Sequence, residues 1–128
     1  MELIIDKRCP TYNHLYWHRG NMKIMKSDAK ELRRYIIKCV DEQIEPETIL
    51  GLIDKKLSIT MEIHENWFTK KDLVKKLDLD NRCKFLIDSV CIGLRIDDKF
   101  VFGLKMKKVQ SKEEKARVII EVLNENKN

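Results

Sequence analysis

Apolar residues recur along this chain with two periods, and the switches between them mark out its elements. Residues 57–64 give the cleanest alternation. Leu57, Ile59, Met61 and Ile63 are apolar, while Ser58, Thr60, Glu62 and His64 between them are polar, which predicts a strand with one buried and one polar face. Glu62 and His64 should then point away from the core, with His64 exposed. A second alternating strand is expected over Phe100–Val109, with Phe102, Leu104 and Met106 on one face, and a last one over Arg117–Leu123 through Val118, Ile120 and Val122. Met1–Asp6 is a short apolar run and reads as a first strand. The period lengthens over Ser27–Ile44, where Ala29, Leu32, Ile36, Cys39 and Val40 make the inward stripe of a long helix. Ser27 or Asp28 would cap it, and Glu31 completes an Asp-x-x-Glu box with Asp28. Arg33, Arg34 and Lys38 fall outside the stripe and read as a wet face, with a DNA backbone as their other use.

A second helix is predicted over Asn81–Cys91, where Phe85, Leu86, Val90 and Ile87 recur at helical spacing. Asp78 or Asp80 suits its N-cap, and Gly93 can take the left-handed position that stops it. Pro46–Ile53 can form a short helix of its own. Lys7–Asn21 reads as a loop punctuated by Pro10, Asn13, Gly20 and Asn21, and Gln110–Lys115 as a turn. Asn66–Lys76 reads as a mobile basic connector anchored by Trp67 and Phe68. Strand, helix, strand, helix, strand, strand is the order of a small α+β domain over residues 1–123, a mixed sheet with two main helices packed on it, followed by a polar tail at 124–128.

Composition narrows the class. The 128 residues suffice for one core, and 43% hydrophobic with 37% charged residues describes a globular chain. No apolar run approaches membrane-spanning length and Met1–Arg8 lacks the order of a secretory signal, so a cytoplasmic protein is expected. Cys9, Cys39, Cys83 and Cys91 form no Cys-x-x-Cys pair, which argues against a zinc module and a disulfide frame. Cys39 and Cys91 read as small buried hydrophobes, and Cys83 has no adjacent base that would make it a nucleophile. Net charge is +5, and its clustering carries more than its size: Lys70, Lys71, Lys75 and Lys76 lead into the most acidic stretch, and Lys105, Lys107 and Lys108 follow it. Tyr12, Tyr16 and Trp17 interleave with His14, His18 and Arg19, a mix that stacks on bases and contacts phosphates or simply packs over a sheet. Asn13, Tyr16, Arg19 and the four connector lysines are the candidates for DNA contact.

That acidic stretch, Lys75–Lys99, holds five aspartates. Asp80, Lys84 and Asp88 stand at four-residue steps and so share one helix face, Asp78 precedes them by two, and the Asp97-Asp98 pair follows Gly93. Singly, each has a structural reading as a cap, a turn or a solvated pair. Together they suggest a hard-cation site in which Asp78, Asp80 and Asp98 bring carboxylate oxygens to Mg²⁺ or Mn²⁺. Only one of Asp97 and Asp98 can point inward if they enter a strand.

The run Asp-x-Asp-Asn, then Lys, Asp and Asp-Asp, on Asp78, Asp80, Asn81, Lys84, Asp88, Asp97 and Asp98, resembles the RusA-type Holliday junction resolvases, or crossover junction endodeoxyribonucleases. Cys9-Pro10-Thr11-Tyr12-Asn13 and Tyr16 match that family's opening turn only in the proline, the asparagine and the following tyrosine. The resemblance implies a homodimer acting on four-way junctions. It also implies that Asp78, Asp80 and Asp98 hold the metal and that Lys84 is needed for cleavage. On that reading the metal would activate water for in-line attack and Lys84 would steady the water or the growing phosphoryl charge. Asn81, Asp88 and Asp97 would orient these groups. Two rivals explain part of the pattern. A non-catalytic protein binding branched or single-stranded DNA accounts for the basic loops and leaves the aspartates without purpose. A hydrolase of free nucleotides does the reverse.

Overall fold

A computed structural model describes residues 1–123, the side chain of Asn13 excepted, so the expected tail at 124–128 lies outside the described residues. The chain runs through β1 (Glu2–Ile5), β2 (Tyr16–Arg19), β3 (Met22–Met25), α1 (Ser27–Gln43), a short α2 (Pro46–Leu50), β4 (Leu57–Glu65), α3 (Leu79–Leu94), β5 (Val101–Gln110) and β6 (Lys115–Val122). Four strands form a mixed sheet in the order β1-β6-β4-β5, and β2 and β3 form a separate antiparallel ribbon. Only β4 and β5 are parallel, and a parallel pair needs a crossover, which α3 provides. The result is the expected α+β domain with two main helices on a mixed sheet. No helix among the described residues is long and apolar enough to cross a membrane.

Alternation sets the core. Leu57, Ile59, Met61 and Ile63 are buried on one face of β4, and the register continues that face sideways: Leu3 pairs with Val118, Val118 with Met61, and Met61 with Met106. α1 and α3 pack on it and on each other, burying Ile36, Val40, Phe85, Leu86, Val90 and Leu94. Each such side chain contributes about 1.5–3 kcal/mol by leaving water. On the opposite face His64 is half-buried rather than exposed. Its Nε2 lies 3.0 Å from the Glu62 carboxylate, which Arg117 approaches to 3.6 Å. This pairing turns His64 away from the helices.

Several local expectations are corrected. The stretch 7–21 is not all loop, because Tyr16–Arg19 is a strand that turns through Gly20 and Asn21 into β3. Gly20 has φ +61°, a positive value that the first residue of a two-residue hairpin turn needs and that glycine adopts without penalty. Because β3 leads directly into α1, the N-cap position falls on Lys26 with no side-chain cap. Asp28 accepts only from the adjacent Ala29 N–H, at 3.0 Å, so the expected capping box is absent. Phe68 is exposed and only Trp67 anchors the connector, its indole N–H donating to the Ile63 and Val109 carbonyls at 3.1 and 3.2 Å. The acidic pair meets a 3-10 turn over Asp98–Phe100 before β5 begins, and β6 starts at Lys115.

Gly93 does not end α3. It lies inside the helix, where an added Cβ would sit 3.0 Å from Val40 Cγ2 and 3.2 Å from Val40 Cβ, so its role is to let α1 and α3 approach. Arg95 takes the left-handed position instead, at φ +58°, and the Ile96 N–H closes the end by donating to the Cys91 carbonyl at 3.0 Å. Gly93→Val should therefore destabilise the domain by about 1–3 kcal/mol. Urea unfolding measures this, and a variant with an unchanged midpoint would mean the helices do not depend on that close contact.

Candidate active site

The first turn of α3 is fixed by a buried cation. Arg82 is fully buried, and its guanidinium donates to both oxygens of Glu65, through Nη1 at 3.0 Å and through Nη2, while Nε donates to the Cys9 carbonyl. Arg8 lies 3.8 Å from the same carboxylate, and the Trp67 ring centre is 5.4 Å from the guanidinium. The end of β4, the loop after β1 and the start of α3 are thus tied at one point. A charged residue on an otherwise apolar helix face gives no hint of this in sequence, because its partner lies on another element.

With that turn fixed, α3 divides its circumference between the core and solvent. Asp78 occupies the N-cap position in extended geometry, φ −78° and ψ 124°, yet makes no capping hydrogen bond, so its carboxylate is not used by the helix end. Asp80 and Lys84 are exposed and Asp88 is half-buried one turn on. Two cavities border this face. One is lined by Met61, Asp80, Asn81, Lys84, Ile87 and Leu104, and the other by Tyr16, Met25, Arg33, Asp88, Cys91 and Asp98. The structure thus brings Asp98 beside Asp88, and groups Asp80 with Asn81 and Lys84 next door. Among the described residues no group of three His, Cys, Asp or Glu side chains is placed to hold a metal ion, so the expected set of Asp78, Asp80 and Asp98 is not brought together in this structure. Asp97 is occupied otherwise, its Oδ1 accepting the Lys99 N–H at 2.9 Å at the start of the 3-10 turn.

Cations interleave with these acids. The Lys84 ammonium lies 4.3 Å from the centre of the Tyr12 ring, and Lys23 lies 3.9 Å from the same ring and 4.5 Å from that of Tyr16. Lys23 also donates to the Tyr12 hydroxyl. Arg33 donates to Ser89 Oγ at 3.2 Å and stacks 4.9 Å from the Phe85 ring, so it faces α3 rather than a wet surface. Lys23 is the neighbour that sequence reading missed, and its signal was the Gly20-Asn21 turn that folds it back over Tyr16; Tyr12 and Arg33 were singled out but not placed beside the acids. Of the DNA-contact candidates, Tyr16 lines the cavity with Asp88 and Asp98, and Arg19 is exposed on the hairpin. Asn13 lies in a 3-10 turn over Tyr12–His14, its side chain outside what the structure describes. Lys70, Lys71 and Lys76 are exposed on the connector, while Lys75 borders a separate hollow with Arg8, Glu65 and Lys112.

Electrostatics separate acids from thiols. Burial pushes the Asp88 carboxyl above its ordinary value; Arg33 opposes the rise, Asp98 adds to it, and Lys84 and Lys23 pull it down again. Burial pushes the Cys83 thiol up to about 12 and the Cys91 thiol to about 11, so neither supplies a thiolate near neutrality. Asp88 gives a pH test. Its raised folded-state pKa means that its contribution to stability is complete below the unfolded value of 3.8 and is lost as pH rises through the folded one. Asp88→Asn should therefore unfold at higher urea than the unsubstituted protein at pH 7, and the gain should vanish at about pH 3. A gain that persists undiminished at the acid end would mean that the ionised carboxylate is not the cause.

A search of the curated proteins finds no match. A family model described as Endodeoxyribonuclease RusA matches residues 7–123, a span that takes in the hairpin, the buried Arg82 and every aspartate from Asp78 to Asp98. The chain belongs to the RusA endodeoxyribonuclease family.

Proposed function

We propose that this protein is a divalent-metal-dependent endodeoxyribonuclease that hydrolyses phosphodiester bonds in branched DNA, resolving Holliday junctions by paired strand cuts. Family membership supports the substrate class. The single observation that carries the chemistry is the face of α3 turned away from the core, on which Asp80, Lys84 and the half-buried Asp88 follow at one-turn steps, with Asp98 beside the last.

A donor set made only of carboxylates suits Mg²⁺, with Mn²⁺ as substitute, and the rise that Asp98 adds to the Asp88 carboxyl is what an added cation would relieve. Asp78, Asp80 and Asp98 are the residues that would hold the ion. A divalent cation bound there supplies Lewis acidity toward the scissile phosphate and its attacking water. The chain's own residues do the rest. Lys84 offers an ammonium to the non-bridging phosphoryl oxygens, where negative charge grows in the transition state, and the Tyr12 ring beneath keeps it from swinging into solvent. Asn81, at the same cavity as Asp80, is an amide suited to orient that carboxylate. Asp97 serves the turn that presents Asp98. Lys23 and Arg33 offset the DNA backbone charge around the acids, and Arg19 with Lys70, Lys71, Lys75 and Lys76 extends the basic surface.

Paired cuts need two such sites related by a two-fold axis, so the active form is a homodimer. The edge of β5 that faces away from β4 is unpaired among the described residues, and Phe102 and Leu104 beside it are exposed, which makes it a surface that a second copy could cover. Incubating the protein with four-way junction, linear duplex and free nucleotide, in Mg²⁺ and in EDTA, tests the reading. Symmetrically related nicks in the junction alone, in Mg²⁺ alone, are expected; nucleotide turnover or binding without cutting would replace the proposal. Asp80→Asn should abolish cutting while junction binding in EDTA stays equal or tightens, because a negative charge near the phosphate is gone. Lys84→Ala should lower turnover by about 100-fold with Mg²⁺ affinity unchanged. Full activity in the first variant, or loss of Mg²⁺ binding in the second, would remove the corresponding role.

A further inference from the structure

The hairpin of β2 and β3 has two unlike faces. Directly paired residues share a face, so Tyr16 with Met25 and His18 with Lys23 form one side, and Trp17 with Ile24 and Arg19 with Met22 form the other. The first side covers the cavity that holds Asp88 and Asp98. The second is left largely open by the described residues: Trp17 is 62% exposed, Met22 64% and Ile24 40%. An apolar face so open on a two-stranded ribbon needs a reason, since the ribbon could bury it only against something else.

Charge narrows what that something is. From Tyr16 to Lys26 the ribbon carries His18, Arg19, Lys23 and Lys26 and no Asp or Glu, so its partner is a polyanion. The Lys26 ammonium lies 4.4 Å from the Trp17 ring, which places a phosphate-binding cation beside an indole that offers its surface outward. In continuous duplex the faces of the bases are covered by their neighbours and offer an indole nothing. Where strands exchange at a branch, the terminal bases of each arm present open faces, and aromatic stacking there is sequence-tolerant.

We propose that Trp17, flanked by Met22 and Ile24, stacks on the open base faces at a DNA branch point and so selects branched DNA over duplex, while the opposite face of the same ribbon presents the scissile strand to the acidic cleft. This rests on the nuclease reading and adds to it the element that recognises the branch. The test compares affinity for a four-way junction and for a linear duplex of the same sequence, in EDTA so that no strand is cut. Trp17→Ala should lose about tenfold in junction affinity with duplex affinity changed little, and Trp17→Phe should restore most of the loss. In parallel, 2-aminopurine placed at the branch should be quenched by the unsubstituted protein and not by Trp17→Ala, while a probe in mid-arm should respond to neither. Trp17 is mostly exposed, so the variant should keep its unfolding midpoint; Met22→Ser, on the same face, gives an independent and smaller loss of selectivity. An unchanged junction-to-duplex ratio in Trp17→Ala, with cleavage by the unsubstituted protein intact, overturns this inference alone. So does a changed oligomeric state in Trp17→Ala with selectivity retained, which would make the face a contact between copies. An unsubstituted protein that binds no DNA overturns the nuclease reading as well.

Discussion

Arg82 is buried without any exposed atom to hydrate it, and each group that its guanidinium meets belongs to a segment bordering the cleft. Glu65 ends β4, the Cys9 carbonyl lies in the loop leading to Tyr12, and Arg82 itself is in the first turn of α3, between Asp80 and Lys84. Burying such a pair costs several kcal/mol per ion in lost hydration, and the return comes close to balancing it only when all the donors are satisfied. An apolar residue of similar volume could hold the core as well. It could not fix three segments at one point with directional bonds, and we read that positional constraint as the reason the pair is there.

From that point the rest of the site follows by helix geometry. One side of α3 buries Phe85, Leu86, Val90 and Leu94 against α1 and the sheet, and Gly93 sets how closely the two helices pack. The other side is then committed to present Asp80, Lys84 and Asp88 outward at one-turn steps. Asp88 pays a cost for this in a raised pKa, caused by burial and by Asp98 across the cavity. A carboxylate kept where the fold disfavours its charge is common at sites whose charge is met by something bound. The hairpin completes the arrangement by carrying Lys23 and Tyr16 over the acidic face, so acids and cations alternate across a short distance.

What could be read in the residues alone was whatever repeats with a period. β4 alternates strictly, the stripes of α1 and α3 have helical spacing, and the sheet with two helices on it follows from their order. The one-turn steps of Asp80, Lys84 and Asp88 along α3 were legible because their spacing is helical too. The hairpin was not, since Tyr16 and Trp17 are aromatic on both faces and the apolar side is not buried, which erases alternation. Gly93 misled because a glycine near a helix end suits both a stop and a close approach, and only the position of Val40 decides between them. Likewise no local pattern could say that Asp98 would come to rest beside Asp88, because that depends on how the 3-10 turn after Arg95 directs the chain into β5.

On the proposed reading, the carboxylates at the start of α3 and at Asp98 serve one bound cation. Ferrous ion in place of magnesium, with ascorbate and peroxide, generates radicals that cut the polypeptide only next to the metal, and the fragments can be mapped by mass. Two clusters of cuts are expected, one beside Asp78 and Asp80 and one beside Asp97 and Asp98, both suppressed by excess Mg²⁺ and both lost in Asp80→Asn. Cuts at one cluster alone, or at neither, would show that these residues do not share an ion.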